Sequence, residues 1–107
     1  MLYHVVGISF KPEISEEFRT AILDALKKLG DACGGKDEGI LFFTVRDNLD
    51  QRKGIHTVEF IVFQDNKALQ KFRAHPAHVD FAENFLSKGA DWKVLDFFLP
   101  FPLLEEV

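Results

Sequence analysis

The chain has 107 residues, a length for one domain with a single core, and 47% of them are hydrophobic, with twelve phenylalanines among them. Thirteen lysines and arginines against seventeen acidic residues give a formal net charge of −4. The basic residues are scattered, which argues against the concentrated positive surface that a nucleic acid or an anionic membrane needs as a partner.

From Tyr3 to Phe10 the chain reads as a strand, with His4, Val6, Ile8 and Phe10 on one face and Tyr3, Val5, Gly7 and Ser9 on the other. Pro12 ends it. Ile14, Phe18, Ala21, Ile22, Ala25, Leu26 and Leu29 then recur at spacings of three and four, the stripe of a helix packed on a core. Ser15 is its expected cap, Glu16 and Glu17 suit its positive end, and Gly30 is its expected terminus. A glycine-rich connection, Gly34 to Gly39, leads to a second strand over 40–46. The turn signal Asp47-Asn48 and a polar stretch to Lys53 lead through Gly54 to a third strand over 55–63.

Asp65 can cap the next helix, in which Leu69 and Phe72 lie three apart. Pro76 interrupts the backbone ladder and pushes His75 out of helical geometry. A further helical run places Val79, Ala82 and Leu86 near one face and His78, Phe81 and Phe85 on a neighbouring one. Gly89 stops it, and 92–99 supplies a last strand before Pro100 and Pro102. The order strand, helix, strand, strand, helix, strand predicts an α+β, ferredoxin-like protomer occupying 1–107 as a single domain.

All four strands carry apolar residues on both faces, while two helices cover only one face of a sheet. Packing two open faces together hides the other, so the pattern predicts a homodimer. The competing arrangement is a monomer whose phenylalanines pack beneath loops and the proline-rich tail. No apolar run approaches the roughly 18 residues that cross a bilayer, and the N-terminus lacks a signal-peptide pattern. With a single Cys33 and so no internal disulfide, a cytoplasmic location is expected.

Several segments together resemble one family. They are His4-Val5-Val6-Gly7-Ile8-Ser9-Phe10-Lys11, Gly39-Ile40 with Phe43, Val45 and Asn48-Leu49, then Val58-Glu59-Phe60, His75-Pro76-Ala77-His78-Val79 and Val94-Leu95-Asp96-Phe97. The chain resembles the stress-responsive alpha/beta barrel domain proteins of the dimeric alpha+beta barrel group. The resemblance implies two four-stranded sheets joined in one barrel, with a small cavity between helices and sheet in each subunit.

One member is a plant polyketide (olivetolic acid) cyclase, which closes an aromatic ring by aldol condensation in an interior pocket. The resemblance equates its first-strand histidine with His4 and the second histidine of its own HPAH segment with His78. Phe72 stands where that cyclase has a substrate-holding tyrosine, and phenylalanine offers neither donor nor acceptor. His56 follows Gly54 one residue sooner than in the plant members, a step that reverses the direction of a strand side chain, so it is assigned to no site.

His4 and His78 are the candidate catalytic pair, one abstracting a proton alpha to a carbonyl while the other donates toward the developing oxyanion. The positive end of the helix is expected to keep His78 neutral. Against this stands the plain reading of two satisfied, structural imidazoles. His75 and Pro76 read as structural, closing the bend. Phe72, Val79, Ala82 and Phe85 are candidate substrate-binding walls. Asp96 and Glu59, carboxylates in apolar strands, can orient a histidine or pair with a lysine, or can equally lie in solvent at a sheet edge.

Two imidazoles without a third ligand in the segment make an incomplete zinc site, and no metal or cofactor is expected. Gly34-Gly35-Lys36 lacks the full spacing of a phosphate loop. Two functional readings follow. One is a cofactorless histidine acid/base enzyme (cyclase, lyase or isomerase type) acting on an aromatic or polyketide-like carbonyl compound. The other is a non-enzymatic, stress-responsive homodimer that binds a small apolar or aromatic molecule or has a structural role.

Overall fold

The structure, a computed structural model, describes residues 1–100; Pro102, in the expected tail, and the end of the expected 1–107 domain lie outside them. The elements are β1 (Leu2–Phe10), α1 (Glu16–Ala32), β2 (Ile40–Asp47), β3 (Thr57–Phe63), α2 (Asn66–Ala74), α3 (Pro76–Phe81) and β4 (Ala90–Phe98). The strands form one sheet in the order β2-β3-β1-β4, each neighbouring pair antiparallel. This is the ferredoxin-like α+β fold.

β1 lies inside the sheet, so its alternation decides what each face carries. His4, Val6, Ile8 and Phe10 are buried on the helix side with Glu59, Ile61 and Phe63 of β3, against Ile22, Leu26 and Leu29 of α1 and Leu69 and Phe72 of α2. Tyr3 points to the opposite face. There an aromatic row crosses all four strands, with ring centroids 6.1 Å apart for Phe42 and Phe60, 6.0 Å for Phe60 and Tyr3, and 5.5 Å for Tyr3 and Phe97. Among the described residues no helix covers this face, and Phe42, Leu95 and Phe97 are exposed.

α1 starts as its sequence predicts, with the Phe18 N–H donating to Ser15 Oγ at 3.0 Å. It does not stop at Gly30. The helix continues to Ala32 and is capped at Cys33, and the chain turns only at Gly34, whose φ of 101° lies in the left-handed region. Gly30 serves packing instead, since a Cβ there would come within 2.7 Å of the Phe43 ring on β2. The connection that follows is partly ordered as a 3-10 turn, Gly35–Glu38.

The third strand begins at Thr57, not Ile55, because His56 ties the preceding loop to β1. Its N–H donates to the Ile8 carbonyl at 2.8 Å, and the Phe10 N–H donates to its Nδ1 at 3.0 Å. The last strand begins at Ala90, directly after Gly89, and closes at Phe98.

Asp65 caps α2 through the Ala68 N–H at 2.9 Å. The break before Pro76 leaves His75 extended (ψ 134°), where its Nδ1 accepts from the Ala77 N–H at 3.0 Å and Pro76 occupies the first helical position. After α3 the chain widens into one π-helical turn, Ala82–Leu86, before the short turn Ser87–Gly89.

Gly30→Ala tests the packing of α1 on β2. Helix propensity alone favours alanine by about 1 kcal/mol, whereas overpacking against Phe43 costs about 1–3 kcal/mol. A net loss of stability is expected in urea denaturation; a net gain would contradict the close approach.

Candidate active site

A cavity of about 320 Å³ lies between the helices and the covered face of the sheet. Val6, Ile8, Leu26, Leu29, Phe81 and Leu86 make its apolar walls, and Trp92 and Val94 of β4 also line it. Its polar lining is His4, Glu59, Arg73 and His78. Phe72 stands between the two histidines, its ring centroid 6.4 Å from that of His4 and 4.6 Å from that of His78. The fold thus brings His4 and His78, far apart in sequence, to one cavity.

His4 is buried, 5% exposed, and is held from the edge strand. Cross-strand register sets it opposite Asp96 of β4, and His4 Nδ1 lies 2.5 Å from Asp96 Oδ1. With the carboxylate as acceptor, Nδ1 carries the proton, which fixes the ring and leaves Nε2 turned away from Asp96. Asp96 is itself held by Arg73, whose Nη2 donates to Oδ2 at 3.1 Å. On its other side, His4 Nε2 lies 3.7 Å from Glu59 Oε1.

Glu59 is also 5% exposed, and burial pushes its carboxyl up to about 7. Burial likewise lowers the proton affinity of His78. A hydrogen bond with the Arg73 backbone opposes this, and the charges of His4 and Arg73 add to it. The cause is therefore desolvation and not the helix end; α3 has only six residues, and its start is capped by His75. The cavity therefore holds one histidine whose burial favours the neutral ring and one paired with a carboxylate.

The model of the Stress responsive A/B Barrel Domain matches residues 2–99. The chain belongs to this family. No curated protein matches it. A ferredoxin-like protein of the same family from Mesorhizobium loti is similar in structure, with a TM-score of 0.77 at 20% identity over 94% of this chain and 97% of the other. A hydroxynitrile lyase from Passiflora edulis gives a TM-score of 0.76 at 18% identity, covering 94% and 96%. A dimeric protein of unknown function from Bacteroides fragilis gives 0.74 at 16% identity, covering 92% and 95%.

Within this A/B barrel domain the expected walls divide. Phe72 and Ala82 line the cavity, but Val79 and Phe85 do not. Val79 is an exposed residue of α3. The π turn adds a residue to the helical repeat, so Leu86 takes the inward position that α-helical spacing gives to Phe85. Phe85 instead stacks between Phe18 and Phe81, at 6.5 and 6.0 Å. His75 caps its helix and, like His56, lies outside the lining.

Three residues enter the site that the candidate pair did not include, Glu59 and Arg73 in the lining and Asp96 through its bond to His4. Glu59 and Asp96 stand out in sequence as carboxylates in apolar strands, but alternation left the sheet edge equally open to both, and it is the structure that turns Glu59 inward. Arg73 gave no signal, because a basic residue late in a helix usually serves the helix end. Cys33 is buried, and burial raises its thiol above the ordinary range, which disfavours the thiolate needed of a nucleophile. Among the described residues no helix is long and apolar enough to cross a membrane, and no group of three or more His, Cys, Asp or Glu is arranged to hold a metal ion.

Glu59 makes the domain's stability depend on pH. The folded chain keeps this proton up to about pH 7, the unfolded chain only to about 4.5. Stability is therefore full below 4.5 and falls as pH rises through 7, by ~3 kcal/mol in all. Glu59→Gln removes the dependence. It is expected to exceed the wild type in stability at about pH 8 and to lose that advantage toward pH 4.5 in paired urea titrations. Parallel pH curves for the two proteins would contradict a protonated Glu59.

Proposed function

We propose that the cavity is a cofactorless acid/base site for a small carbonyl compound with an aromatic or polyketide-like body, giving a lyase, cyclase or isomerase-type reaction. The observation that carries this reading is the shared cavity of His4 and His78, with His4 anchored through Nδ1 and its Nε2 left for chemistry. His78, neutral because it is buried, takes the proton alpha to the carbonyl. His4 Nε2, once it too has been protonated, gives that proton to the oxygen as charge develops there, while Asp96 stabilises the imidazolium through Nδ1. Phe72 and Ala82 are the proposed contacts for the substrate body.

That lyase activity exists on this fold, in the Passiflora edulis enzyme, supports the reaction class. A polyketide cyclase of the plant type is the narrower version, and the ring of Phe72 argues for a different way of holding substrate from that of a tyrosine. We also propose that the protein works in the cytoplasm as a homodimer, its open aromatic face against a second copy. The exposed Phe42, Leu95 and Phe97 support this, as does the dimeric state of the Bacteroides fragilis protein.

The test is a thermal-shift screen of aromatic aldehydes, ketones and polyketide-like compounds, followed by turnover assays on the hits. His4→Ala and His78→Ala, each still dimeric, are expected to lose about 100-fold or more in kcat. Binding without turnover in the wild type, or turnover untouched by both changes, would favour the second reading, a ligand-binding domain without catalysis, for which the missing hydroxyl at Phe72 speaks. For the dimer, Leu95→Glu is expected to shift the sedimentation coefficient to that of a monomer. An unchanged coefficient, or a monomeric wild type, would contradict the open-face contact.

A further inference from the structure

Glu59 is a costly residue to place in an apolar wall, and nothing in the packing of the sheet requires it. Its position on β3 faces Val6 across the register and is flanked by Ile61 and Thr57, a setting that a valine would fill without desolvating a carboxyl. Among the described residues no hydrogen bond holds its carboxyl. Its one ion-pair contact among the described residues is His4 Nε2 at 3.7 Å. That nitrogen is the one free to act, because Nδ1 is committed to Asp96.

The charged and titratable neighbours come from every side of the cavity. They are His4 on β1, Arg73 on α2 and His78 on α3 in the lining, with Asp96 on β4 paired to His4 and Cys33 just past α1, near enough for Glu59 to raise its thiol. Arg73 is paired with Asp96, and burial holds His78 neutral, so neither compensates Glu59 as an anion. The carboxyl, His4 and Asp96 instead form a chain across three adjacent strands, β3-β1-β4, with the imidazole in the middle.

We propose that Glu59 stores the proton that His4 delivers, passing it to Nε2 across this gap, so that Glu59, His4 and the substrate oxygen form a proton relay. The inference rests on the acid/base reading above. The step balances. Nε2 has one lone pair, so the transfers are successive: the Glu59 O–H bond breaks as a His4 Nε2–H bond forms, giving an imidazolium held by Asp96, and that N–H bond breaks when the substrate oxygen, seated against Nε2, takes the proton. The C–H bond alpha to the carbonyl breaks in the same event and its proton goes to His78. The substrate becomes a neutral enol, Glu59 a carboxylate and His78 an imidazolium, and transfer of one proton from His78 back to Glu59 resets the site. A gap slightly longer than a hydrogen bond is ordinary for an empty catalytic site that tightens around its substrate.

The cavity lining offers the Glu59 carboxyl and the His4 imidazole side by side, a setting that takes a neutral carbonyl oxygen.

The first measurement needs no substrate. Carboxyl carbons of ¹³C-labelled protein are titrated by NMR, with Glu59 assigned as the signal missing from Glu59→Gln. The expected result is one glutamate that titrates near neutrality; titration in the ordinary carboxylate range would overturn the relay. Once turnover has been found, Glu59→Gln is expected to lower kcat about 100-fold and to change the pH limb near neutrality, while the variant stays folded and dimeric. If His4→Ala and His78→Ala lose turnover but Glu59→Gln keeps the wild-type rate and pH profile, the relay fails and the acid/base site stands. If the histidine variants keep turnover, the acid/base reading fails first.

Discussion

The bond between His4 and Asp96 is the interaction on which the site depends. It joins residues 92 apart in sequence across the β1–β4 ladder, so it exists only when the sheet has closed in register. A slip of one residue would turn His4 toward the open face and leave Asp96 without its ring. The same bond settles which imidazole nitrogen is available, and through Arg73 it ties the edge strand to α2. Fold and chemistry share one constraint, the register of an inner strand.

Around that bond the protein balances two demands. A sheet face packed on helices calls for apolar side chains, and most of the positions obey. His4, Glu59 and Asp96 depart from the pattern at neighbouring positions on the three strands that border the cavity, where each costs stability unless it is paired or protonated. Departures of this kind cluster where function has claim on the residues. The opposite face shows the reverse departure, aromatic side chains where a solvated face would carry polar ones, and it points outward to association.

Much of this was legible in the sequence, because alternation and helical spacing are local. Period two placed His4 with Val6 and Ile8, and the three-four spacing from Ile14 to Leu29 placed α1. Pro76 announced the bend at which His75 serves as cap. The His4–Asp96 pairing was open as one option among several, since register between β1 and β4 is a long-range property that neither strand declares alone. Gly30 misled because glycine ends helices by conformation and permits close contact by size, and only the neighbouring Phe43 distinguishes the two. Phe85 was expected at the wall and Leu86 was not named there, because a π turn leaves the residue types unchanged while rotating the faces. Arg73 reached the cavity from a position that reads as helix surface.

The tautomer of His4 underlies the whole chemical account, and a long-range ¹H–¹⁵N spectrum of the imidazole side chains near neutral pH observes it directly. The account predicts a protonated Nδ1 on His4, with its proton shifted far downfield by the Asp96 carboxylate and that shift lost in Asp96→Asn. An unprotonated Nδ1 on His4 would contradict it, because the nitrogen facing the cavity would then be the wrong one.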